Sequence, residues 1–115
     1  MNLRQATRED APAIAAIHRL AAFMPPAHAG QEGQRFVREQ LMNENQVWVA
    51  EAAGEVAGYI AFNDDWVRHL FVHPHHQGQG IGQALLDRVI ADGRERQLWT
   101  FHKNSRARKF YENRG

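Results

Sequence analysis

The residues whose types and spacing could do chemistry cluster in one stretch, Gln77-Gly78-Gln79-Gly80-Ile81-Gly82. The apolar run Leu70-Phe71-Val72 precedes it, and Ala84, Leu85, Leu86, Val89 and Ile90 follow at helical spacing. Glycines packed this densely destabilise a simple connection through backbone entropy. Between a strand and a helix they let the backbone approach an anion, while the N–H groups and dipole of the helix's first turn face negative charge. The chemistry expected is phosphate binding. His73-Pro74 ends the strand, because proline gives no N–H to a ladder and restrains the residue before it.

Three kinds of protein carry such a turn. A nucleotide P-loop needs Lys-Ser/Thr after its last glycine, where this chain has Gln83-Ala84. A dinucleotide site needs G-x-G-x-x-G and an acidic residue after the next strand. Here the glycines run G-x-G-x-G, and Leu98-Trp99-Thr100-Phe101 ends in His102-Lys103. The third pattern, Q/R-x-x-G-x-G/A, is filled at every specified position. Near the C-terminus, Asn104, Ala107, Phe110-Tyr111-Glu112 and Gly115 fill N-x-x-A-x-x-F-Y-E-x-x-G. The opening Arg4-Gln5-Ala6-Thr7 with Asp10 has a matching start. By these segments the chain resembles the GNAT superfamily of acyl-CoA-dependent N-acyltransferases over nearly its whole length.

The resemblance implies an N-acetyltransferase that moves an acetyl group from acetyl-CoA, its cosubstrate, to a primary amine by direct attack. Gln77, Gly78, Gln79, Gly80, Ile81, Gly82 and Gln83 would hold the pyrophosphate. The backbone of Leu70, Phe71 and Val72 would pair with the pantetheine arm, and Asn104 would bond the cofactor while capping the last helix. Tyr111 would be the general acid for the departing thiolate, since a phenol with pKa near 10 suits that donation. Packing on an apolar stripe beside Phe110 is its plainer alternative. His69, Glu51, Asp64, Asp65 and a water chain are the candidates for general base. His69 lies on the strand Trp66 to Val72 and its ordinary pKa near 6.5 suits the task, a hydrogen-bonded sheet residue being its plainer alternative. Met24 and His28, in the stretch Phe23 to Gly30, fall where the family binds its acceptor, a small-molecule or peptide amine. His73, His75 and His76 sit on one proline-bent loop with no carboxylate close in sequence, and read as solvated histidines, so no metal is expected.

The elements that must position these groups follow in order. Asn2 to Ala6 reads as a strand, and Thr7 to Asp10 as a helix start. Ile14, Ile17, Leu20 and Ala21 form one apolar stripe, and Phe36, Val37, Gln40 and Leu41 a second, shorter helix ending near Asn43. Strands at Val47 to Glu51 and Val56 to Phe62 flank the hairpin turn Ala53-Gly54. In the second of these, Val56, Gly58, Ile60 and Phe62 should share one face, with Ala57, Tyr59 and Ala61 on the other, and both faces covered. Trp66 to Val72 is the next strand, with His69 alternating with Val67 and Phe71. A helix over Gly80 to Arg96, a strand over Leu98 to Phe101 and a helix from Ser105 complete the order β-α-α-β-β-β-α-β-α. The fold class is α+β, a GNAT-type mixed central sheet flanked by helices.

One domain, 1–115, accounts for a chain of 115 residues. The family continues past this glycine with two more strands, so the C-terminal strands are expected to be absent and the domain truncated. The bare edge of Leu98 to Phe101 would then invite another polypeptide, with a homodimer as one arrangement. A net charge of +1 without a charge block points away from nucleic acid and membrane surfaces. No cysteine is present, which excludes disulfides, a thiolate nucleophile of the protein and cysteine-based zinc sites. With no apolar leader or span, a cytoplasmic location is the default. Two other classes compete with the enzyme: a non-catalytic acyl-CoA-binding or sensing module, and a partial domain completed by a partner chain.

Overall fold

The computed structural model describes residues 1–21 and 31–98. The sheet runs β1 (Asn2–Gln5), β2 (Gln46–Ala52), β3 (Glu55–Phe62), β4 (Trp66–Val72) and β5 (Gln97–Leu98), in that spatial order. The first four strands are antiparallel neighbours, and β5 lies parallel to β4 through Trp66↔Gln97 and Val67↔Leu98. Helix α1 (Ala11–Ala21) and α2 (Gln31–Phe36) precede β2. α2 runs on through a π-helical turn, Val37–Leu41, into the short α3 (Met42–Glu44). α4 (Ile81–Ile90) is the crossover between the parallel strands.

The core lies on both faces of the sheet. Ile14, Ile17, Val37 and Leu41 pack with Tyr59 and Phe71 on the α1 face. Leu85, Leu86 and Val89 of α4 pack with Ile60, Phe62 and Val67 on the other. β3 is buried from Ala57 to Phe62, which explains why its residues are apolar on both sides.

Two β-bulges correct the expected alternation. Pairing steps from Ala50↔Gly58 to Glu51↔Val56, leaving Ala57 as the extra residue in β3. Val56 therefore packs with Tyr59 on the α1 face, and Ala57 with Ile60 on the α4 face, the reverse of a continuous two-residue period. In β4 the pairing steps from Ala61↔His69 to Phe62↔Val67, and Arg68 is the extra residue. Val67 accordingly joins the α4-face cluster while Phe71 stays on the α1 face. His69 keeps company with Phe71 and not with Val67.

Other boundaries also move. Leu20 is 43% exposed, and the buried stripe of α1 is Ile14, Ile17, His18 and Ala21. The second helical segment begins earlier than expected, at Gln31. α4 stops at Ile90, short of Arg96, because Gly93 takes a left-handed φ of +77° and Arg96 folds back onto Asp92 at 2.7 Å. The expected last helix lies outside the described residues.

At the other end, Arg4 donates two hydrogen bonds of 2.8 Å to the buried Asp10, whose carboxylate also accepts from the Thr7 N–H. This joins β1 to the start of α1. The opening Arg-Thr-Asp combination is thus a structural clasp.

Candidate active site

Chain path and glycine chemistry together shape the turn between β4 and α4. The His73 N–H continues the strand pairing onto the Ala57 carbonyl at 2.7 Å. Pro74–His76 then form one 3-10 turn, with the His75 N–H donating to His73 Nδ1. Gln77 reaches back, its Nε2 donating to the Val72 carbonyl at 3.2 Å, which ties the turn to the strand end. Gly78 and Gly80 have φ of +82° and +80°, a region that costs an L-residue about 1–2 kcal/mol.

Gly80 is the N-cap of α4, and no side chain caps the helix. The first backbone N–H of the helix bonded inside it is that of Ala84, to the Gly80 carbonyl. A Cβ built on Gly80 would meet no atom within 4 Å, so the space beside the N-cap is open. Open space, an uncapped helix end and a left-handed glycine suit a phosphate-bearing anion. The helix is held close to the sheet by a second glycine, Gly58. A Cβ there would lie 3.0 Å from the Phe71 carbonyl and 3.1 Å from Ile81 Cγ2.

Leu70, Phe71 and Val72 pair with Ile60, Tyr59 and Gly58 of β3 along one edge. Phe71 is buried on the α1 face, and Leu70 and Val72 pack toward α4. Among the described residues, β5 meets β4 only at Trp66 and Val67.

His69 sits on the α1 face within a group of rings. Its centroid lies 4.8 Å from that of His18, 5.5 Å from Phe71, 5.9 Å from Tyr59 and 6.2 Å from Phe36. The Tyr59 hydroxyl is 2.8 Å from His69 Nδ1. Burial first, then the neighbouring His18 and Arg68, hold the imidazole pKa down to about 3. Burial pushes the Tyr59 phenol well above its ordinary range. Both groups are therefore neutral at physiological pH, and the imidazole is a poor proton acceptor.

Of the carboxylates considered as bases, Glu51 is ion-paired and Asp64 and Asp65 lie at the far end of β4. Glu51 accepts from Arg4 Nε at 2.6 Å. Asp64 and Asp65 lie in the turn that opens β4, the opposite strand end from the glycines, with Asp64 3.8 Å from Arg94. His76 contacts Glu55 at 3.2 Å and Gln79 at 3.4 Å, while the His73 and His75 rings lie 4.9 Å apart. Among the described residues no group of three or more His, Cys, Asp or Glu converges in a way that could hold a metal ion. Met24, His28, Asn104 and Tyr111 lie outside the described residues. His18, Phe36 and Tyr59 were not singled out from the sequence as site residues. For His18 a signal existed, since it falls on the face of α1 that Ile14, Ile17 and Ala21 bury.

The Acetyltransferase (GNAT) domain model matches residues 43–115. An uncharacterized N-acetyltransferase of Bacillus subtilis, YhfO, is 32% identical over 132 residues, covering 100% of this chain and 89% of that protein. The L-amino acid N-acyltransferase MnaT of Escherichia coli is 32% identical over 110 residues, covering 83% of this chain and 64% of that protein. The chain spans 58% and 64% of the length of two of the curated relatives it matches, MnaT being the second. A solved structure from Salmonella typhimurium, the putative acetyltransferase yncA with its cofactor acetyl-CoA, superposes with a TM-score of 0.76 at 25% identity. That match takes in 100% of this chain and 78% of the other.

Proposed function

The chain belongs to the GNAT family of acetyltransferases, and from that premise we propose that it moves an acetyl group from acetyl-CoA to a primary amine by direct attack. The observation that carries this reading is the uncapped N-terminus of α4 behind the left-handed Gly80, with open space beside that N-cap. Gln77 to Gln83 bind the pyrophosphate through backbone N–H groups, and the backbone of Leu70 to Val72 aligns the pantetheine arm. Asn104 adds a cofactor contact.

Acetyl-CoA supplies an already activated thioester, so the protein's tasks are positioning and proton handling. Tyr111 protonates the departing thiolate. The amine gives its proton to water, because among the described residues Glu51 is ion-paired with Arg4 and Asp64 and Asp65 lie at the strand end opposite the glycines. The Met24 and His28 segment borders the acceptor, a small-molecule or peptide amine. Relatives that include an L-amino acid N-acyltransferase support such an acceptor class. The test is release of free thiol from acetyl-CoA that depends on an added amine, across a panel of amino acids, peptides and polyamines. Binding of acetyl-CoA without thiol release for any amine would leave a binding module in place of an enzyme.

A further inference from the structure

We propose that Tyr59 is a positioning residue for His69: its buried hydroxyl donates to Nδ1, which fixes the ring proton on Nε2 and leaves that N–H as a donor to an oxygen of the reactants. The oxygen belongs to one of two sources, the thioester carbonyl or a carbonyl or carboxylate of the acceptor. The assignment rests on the acetyl-transfer reading for its chemistry, but not for its geometry.

The direction of the hydrogen bond follows from hydrogen-bond accounting. Tyr59 is fully buried, and its hydroxyl has one partner among the described residues, His69 Nδ1 at 2.8 Å. Were Nδ1 the donor, the phenol proton would be left in the interior with no acceptor, at a cost of about 1–3 kcal/mol. With the phenol donating, Nδ1 is the acceptor, and a neutral ring must carry its proton on Nε2. That nitrogen points away from Tyr59 and makes no hydrogen bond among the described residues. No fully enclosed side-chain nitrogen or oxygen there lacks a partner, so Nε2 keeps some exposure.

The surroundings fit a donor and not a base. Rings of His18, Phe36 and Phe71 border the imidazole. No carboxylate is hydrogen-bonded to His69 among the described residues to raise its basicity, and burial keeps it neutral. A neutral N–H placed among packed rings and largely out of water is worth more to a developing negative charge than the same group in water. This reverses the expectation that His69 serves as the general base.

The direct test is a long-range proton–nitrogen correlation spectrum of the full chain, labelled with nitrogen-15 in its histidines, at pH 7. His69 is assigned by the signals lost in His69→Gln. A protonated, pyrrole-type Nε2 and an unprotonated, pyridine-type Nδ1 are expected in the parent, and loss of that fixed pattern in Tyr59→Phe. Protonation on Nδ1, a charged imidazolium, or an unchanged pattern in Tyr59→Phe overturns the proposal. The parent spectrum needs no turnover, so the tautomer assignment can fail while acetyl transfer stands, and the reverse.

Kinetics then locate the oxygen. His69→Gln keeps an amide donor near the Nε2 position and should outpace His69→Leu. If the thioester carbonyl is the partner, the leucine variant loses about 10²–10³ in kcat, as for a single oxyanion donor. If the acceptor's own oxygen is the partner, KM for the amine rises by roughly tenfold at nearly constant kcat. Equal losses for glutamine and leucine overturn the donor role.

Discussion

The hydroxyl of Tyr59 on β3 and Nδ1 of His69 on β4 lie 2.8 Å apart, across neighbouring strands and on the face that α1 covers. Each group is held neutral by burial, His69 with its pKa near 3 against an ordinary 6.5. Between those values the unfolded chain binds a proton that the folded chain refuses. The stability present above pH 6.5 is therefore lost progressively as pH falls toward 3. One such site gives a slope of about 1.4 kcal/mol per pH unit inside that window. Urea unfolding at pH 7 and pH 5 should show a steeper loss in the parent than in His69→Gln. Equal slopes would mean that His69 protonates as easily folded as unfolded.

Gly80→Asp should abolish acetyl-CoA binding measured by calorimetry, because it sets a negative side chain in the open space beside the N-cap of α4. Gly93→Asp is its control. Gly93 also has a left-handed φ, and a Cβ there meets no atom within 4 Å. Both variants carry a similar backbone cost of about 1–2 kcal/mol, so only the first should lose affinity. A folded Gly80→Asp protein with unchanged affinity would remove the cradle from this turn.

Gly58→Val tests how closely α4 must approach the sheet. Its added atoms meet the Phe71 carbonyl, which cannot swing away, and the Ile81 side chain at the start of α4. Overpacking of this kind costs typically about 1–3 kcal/mol. Thermal unfolding should show the loss, and acetyl-CoA affinity should weaken with it as the helix end is displaced. Parent-like stability would show that the contact relaxes freely.

Tyr111→Phe removes one oxygen and keeps the ring. As the general acid, Tyr111 should account for about 10²–10⁴ of single-turnover rate, with KM for acetyl-CoA almost constant. Turnover equal to the parent's would make Tyr111 a packing residue.

The parts of the fold set by local chemistry were legible in the sequence. Gln77 to Gly82 could be read because left-handed glycines and a following helix impose their own geometry. The face of His69 could not. A two-residue period places it with Val67, whereas the extra residue Arg68 reverses everything before it in the strand. No local residue type announces that bulge, or the one at Ala57. The meeting of His18, Tyr59 and His69 likewise depends on three elements far apart in sequence, and only tertiary packing brings their rings together. Helix α4 ends early at a local signal that the sequence carries, Asp92-Gly93.

Direct transfer is the central claim, and a rapid-quench single turnover tests it most directly. The full chain, in excess over acetyl-CoA, is mixed with a competent amine, and intact protein and amine are weighed at each time by mass spectrometry. Direct attack predicts that acetyl appears on the amine as free thiol appears, with the protein's mass unchanged throughout. A protein-bound acetyl group that forms and is then consumed at the rate of product formation would contradict it.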